Sequence, residues 1–177
     1  MTRLASDDAL FDDALQGLRH GDFSRLEPLF VGATDGTEPK IIEWHREGRF
    51  AGAPDALAEA LSCASFLGHT VVASYLLTHG VDPGAGNATG LDALHWAANR
   101  GQSAAVRLLL RHGVSLEGRN RHDTTALGTA IWSAINEPRG GQLSIIEMLI
   151  DEGARLDAVS YPTGHQAVDA ILRRHLA

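Results

Sequence analysis

The sequence predicts an all-α fold, a solenoid of stacked helix-turn-helix units. Three observations carry that expectation. Glycine-led turns recur at a fixed interval: from Gly68-His69 to Gly101-Gln102, and from His79-Gly80 to His112-Gly113, the numbering advances by 33 each time. Between those turns apolar residues fall at three- and four-residue spacing, the pattern of helices with one buried face. The pattern returns once more, at Thr125-Ala126-Leu127-Gly128-Thr129-Ala130 and then at Ile145-Ile146-Glu147-Met148-Leu149-Ile150, but the step from Gly113 to Gly153 is 40, so this copy is longer by seven.

Taken in order, residues 7–20 read as a helix, with Leu10, Phe11, Ala14, Leu15 and Leu18 on one face and Asp7 and Asp8 favourable at its start. His20-Gly21-Asp22 makes a turn, and 23–30 follow as a second helix, kept short by Pro28, which lacks an N–H and crowds the preceding turn. Residues 31–38 are loop-like, and Pro39 opens a further helix through Ile41, Ile42 and Trp44 to Glu47. A competing register makes Glu27-Pro28-Leu29-Phe30 the start of a full unit ending at Gly48, which precedes Gly80 by nearly the same step. Gly32, Gly36 and Thr34-Asp35 are poor helix interior, which favours the junction at Gly21-Asp22.

The next unit spans 55–81. Ala56, Leu57, Ala60, Leu61 and Ala64 form the apolar face of its first helix, and Val71, Val72, Tyr75, Leu76 and Leu77 that of its second. Residues 82–89 are turn-formers throughout. A last helix, His165 to His175, has Val168, Ile171 and Leu172 as its stripe and Arg173, Arg174 and His175 at its C-terminal end, where positive charge is favoured.

The central stretch, Gly90-Leu91-Asp92-Ala93-Leu94-His95-Trp96-Ala97-Ala98-Asn99-Arg100-Gly101-Gln102 with Val106 to Gly113, resembles one ankyrin repeat. Asp92-Ala93-Leu94-His95 stands where that family has Thr-Pro-Leu-His, and 33 is its period. The likeness is good over 56–157, looser over 8–30 and 163–175, and poor over 31–54. It implies one ankyrin-repeat domain over 1–177: a degenerate N-terminal repeat plus an extra helix at 1–54, three recognisable repeats at 55–157, and a C-terminal cap at 158–177. In the repeat at 55–81 the tetrapeptide is Glu59-Ala60-Leu61-Ser62, and serine in place of histidine weakens that turn.

Composition narrows the function classes. At 177 residues the chain can bury a sizeable core, and 22 acidic against 15 basic residues give a net charge of −7, which repels nucleic acid and anionic membranes. Cys63 is the only cysteine, so no intramolecular disulfide forms and a reducing compartment fits. The start of the chain turns acidic at Asp7-Asp8 where a signal peptide needs an apolar run, and no stretch approaches membrane-spanning length; the expectation is a cytoplasmic protein. Lys40 is the single lysine beside fourteen arginines, a composition suggestive of a GC-rich bacterial genome.

The residues that could carry chemistry have structural readings. The resemblance makes His95 a bridge within and between turns, and His69, His79 and His112 are read likewise. Nine histidines are present, but none is spaced as a metal ligand, so no metal and no cofactor is expected. Gly84 to Gly90 looks like a phosphate-cradling loop but lies between helices, without the preceding strand such a loop requires. Cys63 sits among small residues with no activating base.

What remains is recognition. In ankyrin arrays the concave face is made of turn tips and the exposed ends of first helices. Carried over by position, the helix ends are Phe66 and Leu67, Asn99 and Arg100, then Trp132 and Ser133; the tips supply Ala88, Thr89 and Leu91, then Arg121, His122 and Thr124, with Trp96 partly exposed. Apolar anchors beside an arginine have the composition of a binding hot spot. The resemblance thus implies a non-enzymatic interaction module whose partner is a protein, bound through Phe66, Leu67, Trp96, Asn99, Arg100, Arg121, His122, Trp132 and Arg139; both ends look capped, which favours a monomer, although exposed Phe66 and Trp132 could also mate with a second copy. The competing reading is a small-molecule or catalytic pocket between the 134–141 loop and the helix ends, using Asn99, Arg100, Asn136, Glu137 and Arg139. Phe66, Leu67 and Trp132 could instead pack under the insertion or the 31–54 segment. Glu137 is expected to brace the loop against an arginine, with Arg139 either bracing it too or facing a ligand.

Overall fold

The computed structural model describes residues 2–32, 36–86, 88–157 and 159–176. The loop expected at 33–35, and Asn87 of the glycine-rich stretch, lie outside the described residues. Those described form ten α-helices: α1 (Thr2–His20), α2 (Phe23–Leu26), α3 (Lys40–Arg46), α4 (Pro54–Leu67), α5 (Thr70–Thr78), α6 (Ala93–Arg100), α7 (Ser103–Arg111), α8 (Ala126–Asn136), α9 (Gln142–Asp151) and α10 (Gln166–His175), with no strand among them. They stack in two layers. One runs α1, α4, α6, α8 and the other α3, α5, α7, α9, with α10 closing against α9.

A continuous core runs between the layers from Phe11 to Leu172. Leu61, Leu76, Leu94, Leu109, Leu127, Ile145 and Ile146 are each at most 1% exposed, and burial of such a side chain is worth about 1.5–3 kcal/mol. The first-layer helices carry alanine at Ala56, Ala60, Ala64, Ala97, Ala98 and Ala130, all fully buried, which lets neighbouring helices approach closely. In this layer α4 packs directly on α6, and α6 on α8.

The turns repeat with the helices. Gly68, Gly101 and Gly141 join first- to second-layer helices and Gly21 follows α1, while Gly48, Gly80, Gly113 and Gly153 follow the second-layer ones, all with positive φ. Gly68 to Gly80, Gly101 to Gly113 and Gly141 to Gly153 are equal steps along the chain, whereas Gly21 to Gly48 is more than twice as long. The first unit therefore keeps its junction at Gly21-Asp22 and its end at Gly48, and carries the additional chain in between, where α2 packs against α1 and α4 and leads into a 3-10 turn at Glu27–Leu29. Pro28 occupies the start of that 3-10 turn, where its missing N–H costs nothing.

This end of the array is fastened by a polar cluster over aromatic packing. Phe11 meets Trp44 and Phe50 edge-on, both at 5.1 Å, and the Arg49 guanidinium lies 4.4 Å above Phe11. Asp7 receives Lys40 at 2.8 Å, Arg49 at 2.5 Å and the Trp44 indole N–H at 3.2 Å. The Lys40 hydrogen bond, followed by that of Trp44 and the two positive charges, holds the Asp7 carboxyl below the usual range against some desolvation.

At the other end, Asp169 gathers the Thr163 N–H and hydroxyl, both at 2.7 Å, and the Gly164 N–H at 3.2 Å. His165 Nδ1 accepts from Val168 N–H at 3.4 Å and caps α10. These bonds tie the segment before α10 to the first turn of that helix. No helix among the described residues is long and apolar enough to cross a membrane.

Candidate functional site

The seven extra residues of the fourth unit shape a large concavity. α6 ends at Arg100, one residue before Gly101, whereas α8 continues past the equivalent Ser133 through Ala134, Ile135 and Asn136. Four loop residues, 137–140, then lead to Gly141. The extra length is thus three residues of helix and four of loop. The longer helix forms one wall of a cleft of about 900 Å³; Asn99 and Arg100 form its floor, and the turn tip around His122 and the segment at Val159, Ser160 and Thr163 close it.

The loop is held by backbone acceptors. Gln142 is 1% exposed, and its Nε2 donates to the carbonyls of Asn99 at 3.1 Å and Glu137 at 3.4 Å while its Oε1 accepts from Arg139 N–H at 2.5 Å. Gln102, one residue after the preceding junction glycine, donates to the Phe66 carbonyl at 3.2 Å. Phe66 and Asn99 occupy the same place in successive units, so one glutamine latch is used twice. Sequence reasoning missed both glutamines, although their fixed place after the junction glycine was visible. Backbone contact adds to the latch: a Cβ on Gly101 would lie 2.2 Å from the Gly140 carbonyl oxygen.

The residues expected on the recognition surface separate into two groups. Trp96, Asn99, Arg100, His122 and Trp132 line the cleft, with Asn136 and Glu137 beside them. Trp132 is 51% exposed and Ile135 37%. Phe66, expected as an exposed anchor, is half-buried instead: its ring meets Phe23 at 5.6 Å and Trp96 at 5.2 Å and carries the Arg100 guanidinium at 4.5 Å. Phe23 of the short α2 is what covers it, a contact between distant parts of the chain that no local pattern announces. Leu67 packs against the same core and takes no part in the cleft.

Trp96 is anchored within the fold, its indole N–H donating to Thr89 Oγ1 at 2.9 Å, so only part of it faces the cleft. Asn99 donates from Nδ2 to Ser133 Oγ at 2.9 Å. Arg121 lies outside the cleft; its backbone N–H bonds the Gly90 carbonyl at 3.0 Å, its stem covers Gly90, and its Nε reaches His122 Nε2 at 3.1 Å. Arg139 also stays out of the cleft, bonded to Glu137 Oε2 at 3.1 Å and the Asn99 carbonyl at 3.4 Å. Glu137 and Arg139 therefore brace each other and the loop.

Arg100 differs from its neighbours. Among the described residues its guanidinium has no hydrogen bond and no ion pair. Burial, and then the charge of Arg139, push its pKa below the ordinary arginine value, and the charge of Glu137 offsets only part of this.

The other chemistry-bearing groups are engaged in structure. His95 is 1% exposed; its Nδ1 lies 2.7 Å from Asp92 Oδ1 and its Nε2 2.9 Å from the Thr124 carbonyl, so it ties its own turn to the next unit's tip. Ser62, at the equivalent place, reaches the Gly86 carbonyl at 3.3 Å. Cys63 is fully buried, points at the Phe23 carbonyl, and is raised well above the usual thiol range by desolvation, which leaves it no nucleophilic thiolate. His79 Nδ1 is bonded to the Tyr75 carbonyl at 2.7 Å.

A comparison with curated proteins finds no match. The family model for ankyrin repeats, in three copies, matches residues 59–160, which is more than half of the chain. With the Asp92–His95 turn, the periodic stack and that match in place, the chain belongs to the ankyrin repeat family.

Proposed function

We propose that this protein is a non-enzymatic interaction module that binds a protein partner on its concave face, in the cleft between α6, α8 and the segment before α10. Ankyrin repeats are in general protein–protein interaction modules. The observation that carries the reading is the exposure of Trp132 and Ile135 on the longer end of α8, beside a cleft whose floor offers Asn99 and Arg100. Large apolar side chains held out on a rigid helix are what a partner's surface desolvates, and a few polar groups among them set orientation.

The test is capture from a lysate of the source organism on the immobilised protein, alongside a Trp132→Ala, Ile135→Ser variant shown to keep its melting temperature. One protein retained stoichiometrically by the natural form and lost by the variant supports both the reading and the surface. A partner retained equally by both moves the interface away from the cleft. Retention of nothing by either counts against the interaction reading.

A further inference from the structure

Three features of the cleft point to the chemistry of its occupant. The first is the state of Arg100. A guanidinium carries five N–H donors, and in this one none is bonded among the described residues, while one face rests on the Phe66 ring. Arg100 lines the cleft, so its N–H donors are available to an acceptor that enters it. That arrangement suits a carboxylate accepting two parallel bonds.

The second is that the nearest carboxylate is already engaged. Glu137 pairs with Arg139 at 3.1 Å, and Arg139 in turn takes the Asn99 carbonyl, so the loop's charges are balanced without Arg100. Arg100 is left half-buried beside the like charge of Arg139, which Glu137 offsets only in part. An incoming anion gains both the pair and relief of that repulsion.

The third is the apolar wall. Trp132 and Ile135 stand exposed on α8, with Ile131 and Val159 deeper in, so a carboxylate at Arg100 has room for an apolar neighbour alongside it. The volume, about 900 Å³, lies near the top of the roughly 300–1,000 Å³ range of ligand pockets and accommodates a stretch of extended chain. The chain's overall charge of −7 sets a limit, because a long acidic tract would be repelled as it approached.

We infer that the cleft takes a partner segment presenting a single aspartate or glutamate next to a large apolar residue, the carboxylate seated on Arg100 and the apolar side chain against Trp132 and Ile135. This rests on the protein-binding reading given above and specifies what that partner must offer.

The test uses random heptapeptides displayed on phage, selected on the full-length protein, followed by affinity measurement of the enriched peptides and of their Asp→Asn or Glu→Gln forms. Enrichment of one acidic residue beside Leu, Ile, Phe or Trp is expected. Amidation of the acid should weaken binding by about tenfold or more to the natural protein and by less than about twofold to Arg100→Gln, since the charge-assisted bond exists only with both partners. Arg100→Lys is the second variant, keeping the charge without the fork; there the carboxylate preference should persist at lower affinity.

Peptides that need Trp132 but tolerate amidation overturn the carboxylate assignment and leave the protein-binding reading standing. Enriched peptides indifferent to both Trp132→Ala and Arg100→Gln, or no enrichment at all, overturn the inference together with the cleft as the binding place. Selection of poly-acidic tracts overturns the single-carboxylate form.

Discussion

Gln142 Nε2 donates to the Asn99 carbonyl oxygen at 3.1 Å, joining the start of one unit's second helix to the end of the previous unit's first. The amide is buried, and its oxygen also satisfies the Arg139 N–H. Replacing Gln142 by Ala strands these groups away from water, with an expected cost of about 2–3 kcal/mol. Gln102→Ala breaks the single side-chain bond to the Phe66 carbonyl at a less buried position and should cost about 1 kcal/mol. Urea denaturation of the two variants checks the ranking; equal losses would show that the loop contacts add nothing to the latch.

Gly101 and Gly113 share a positive φ, 73° and 70°, but differ in surroundings. A Cβ at Gly113 meets nothing within 4 Å, whereas one at Gly101 runs into the Gly140 carbonyl. Gly113→Ala should therefore cost about 1–2 kcal/mol, the backbone penalty alone. Gly101→Ala should cost more than that and displace the 137–140 loop, read as increased amide exchange there.

Glu59 is 2% exposed, with Oε1 accepting Ala88 N–H at 2.5 Å and Oε2 unpartnered among the described residues. Desolvation raises its pKa, opposed by the Ala88 bond and assisted by the charge of Asp55. With the folded value above the unfolded one, the folded state binds the extra proton. The stability this contributes is complete below the ordinary carboxylate range and is lost as pH rises through the raised value. Glu59→Gln keeps the acceptor for Ala88 and carries no charge, so its stability relative to the parent should improve by about 1 kcal/mol between pH 4 and pH 7. A difference unchanged across that interval would rule out a buried charge at Glu59.

Phe66 and Trp132 occupy equivalent places in their units yet should respond in opposite ways. Phe66→Ala removes packing against Phe23, Trp96 and Arg100 and should lower stability by about 2–4 kcal/mol. Trp132→Ala, on an exposed side chain, should stay within about 0.5 kcal/mol. Thermal melts separate the two, and only the Trp132 change serves as a clean probe of binding.

What the sequence made legible was whatever depended on period. The junction glycines, most of the buried faces of α4 to α9, and the Asp92–His95 turn follow from spacing and turn chemistry, although Val71, expected on the apolar face of α5, is 70% exposed. The contacts that make the cleft did not. Phe66 resembles an exposed anchor because its cover, Phe23, comes from a four-residue helix in a unit that breaks the period. Gln102 and Gln142 bond to backbone carbonyls, which every residue possesses, so no partner pattern marks them. The segment at 159–163 is held by bonds from Thr163 and Gly164 to Asp169 of α10, a pairing that no repeat period marks. Arg100 and Arg139 are alike in sequence, and only the geometry shows one engaged and the other open.

The division of the insertion into three helical and four loop residues has a consequence for how this protein can change. Because the glutamine latch and the Gly101–Gly140 approach fasten the base of the loop through main-chain atoms, the identities of the exposed Ile135, Asn136 and Pro138 are largely free of the demands of folding. They form a cassette. New sequences can be exchanged there without re-laying the stack beneath, so descendants of this chain, or designed versions of it, could switch partners while inheriting the same foundation.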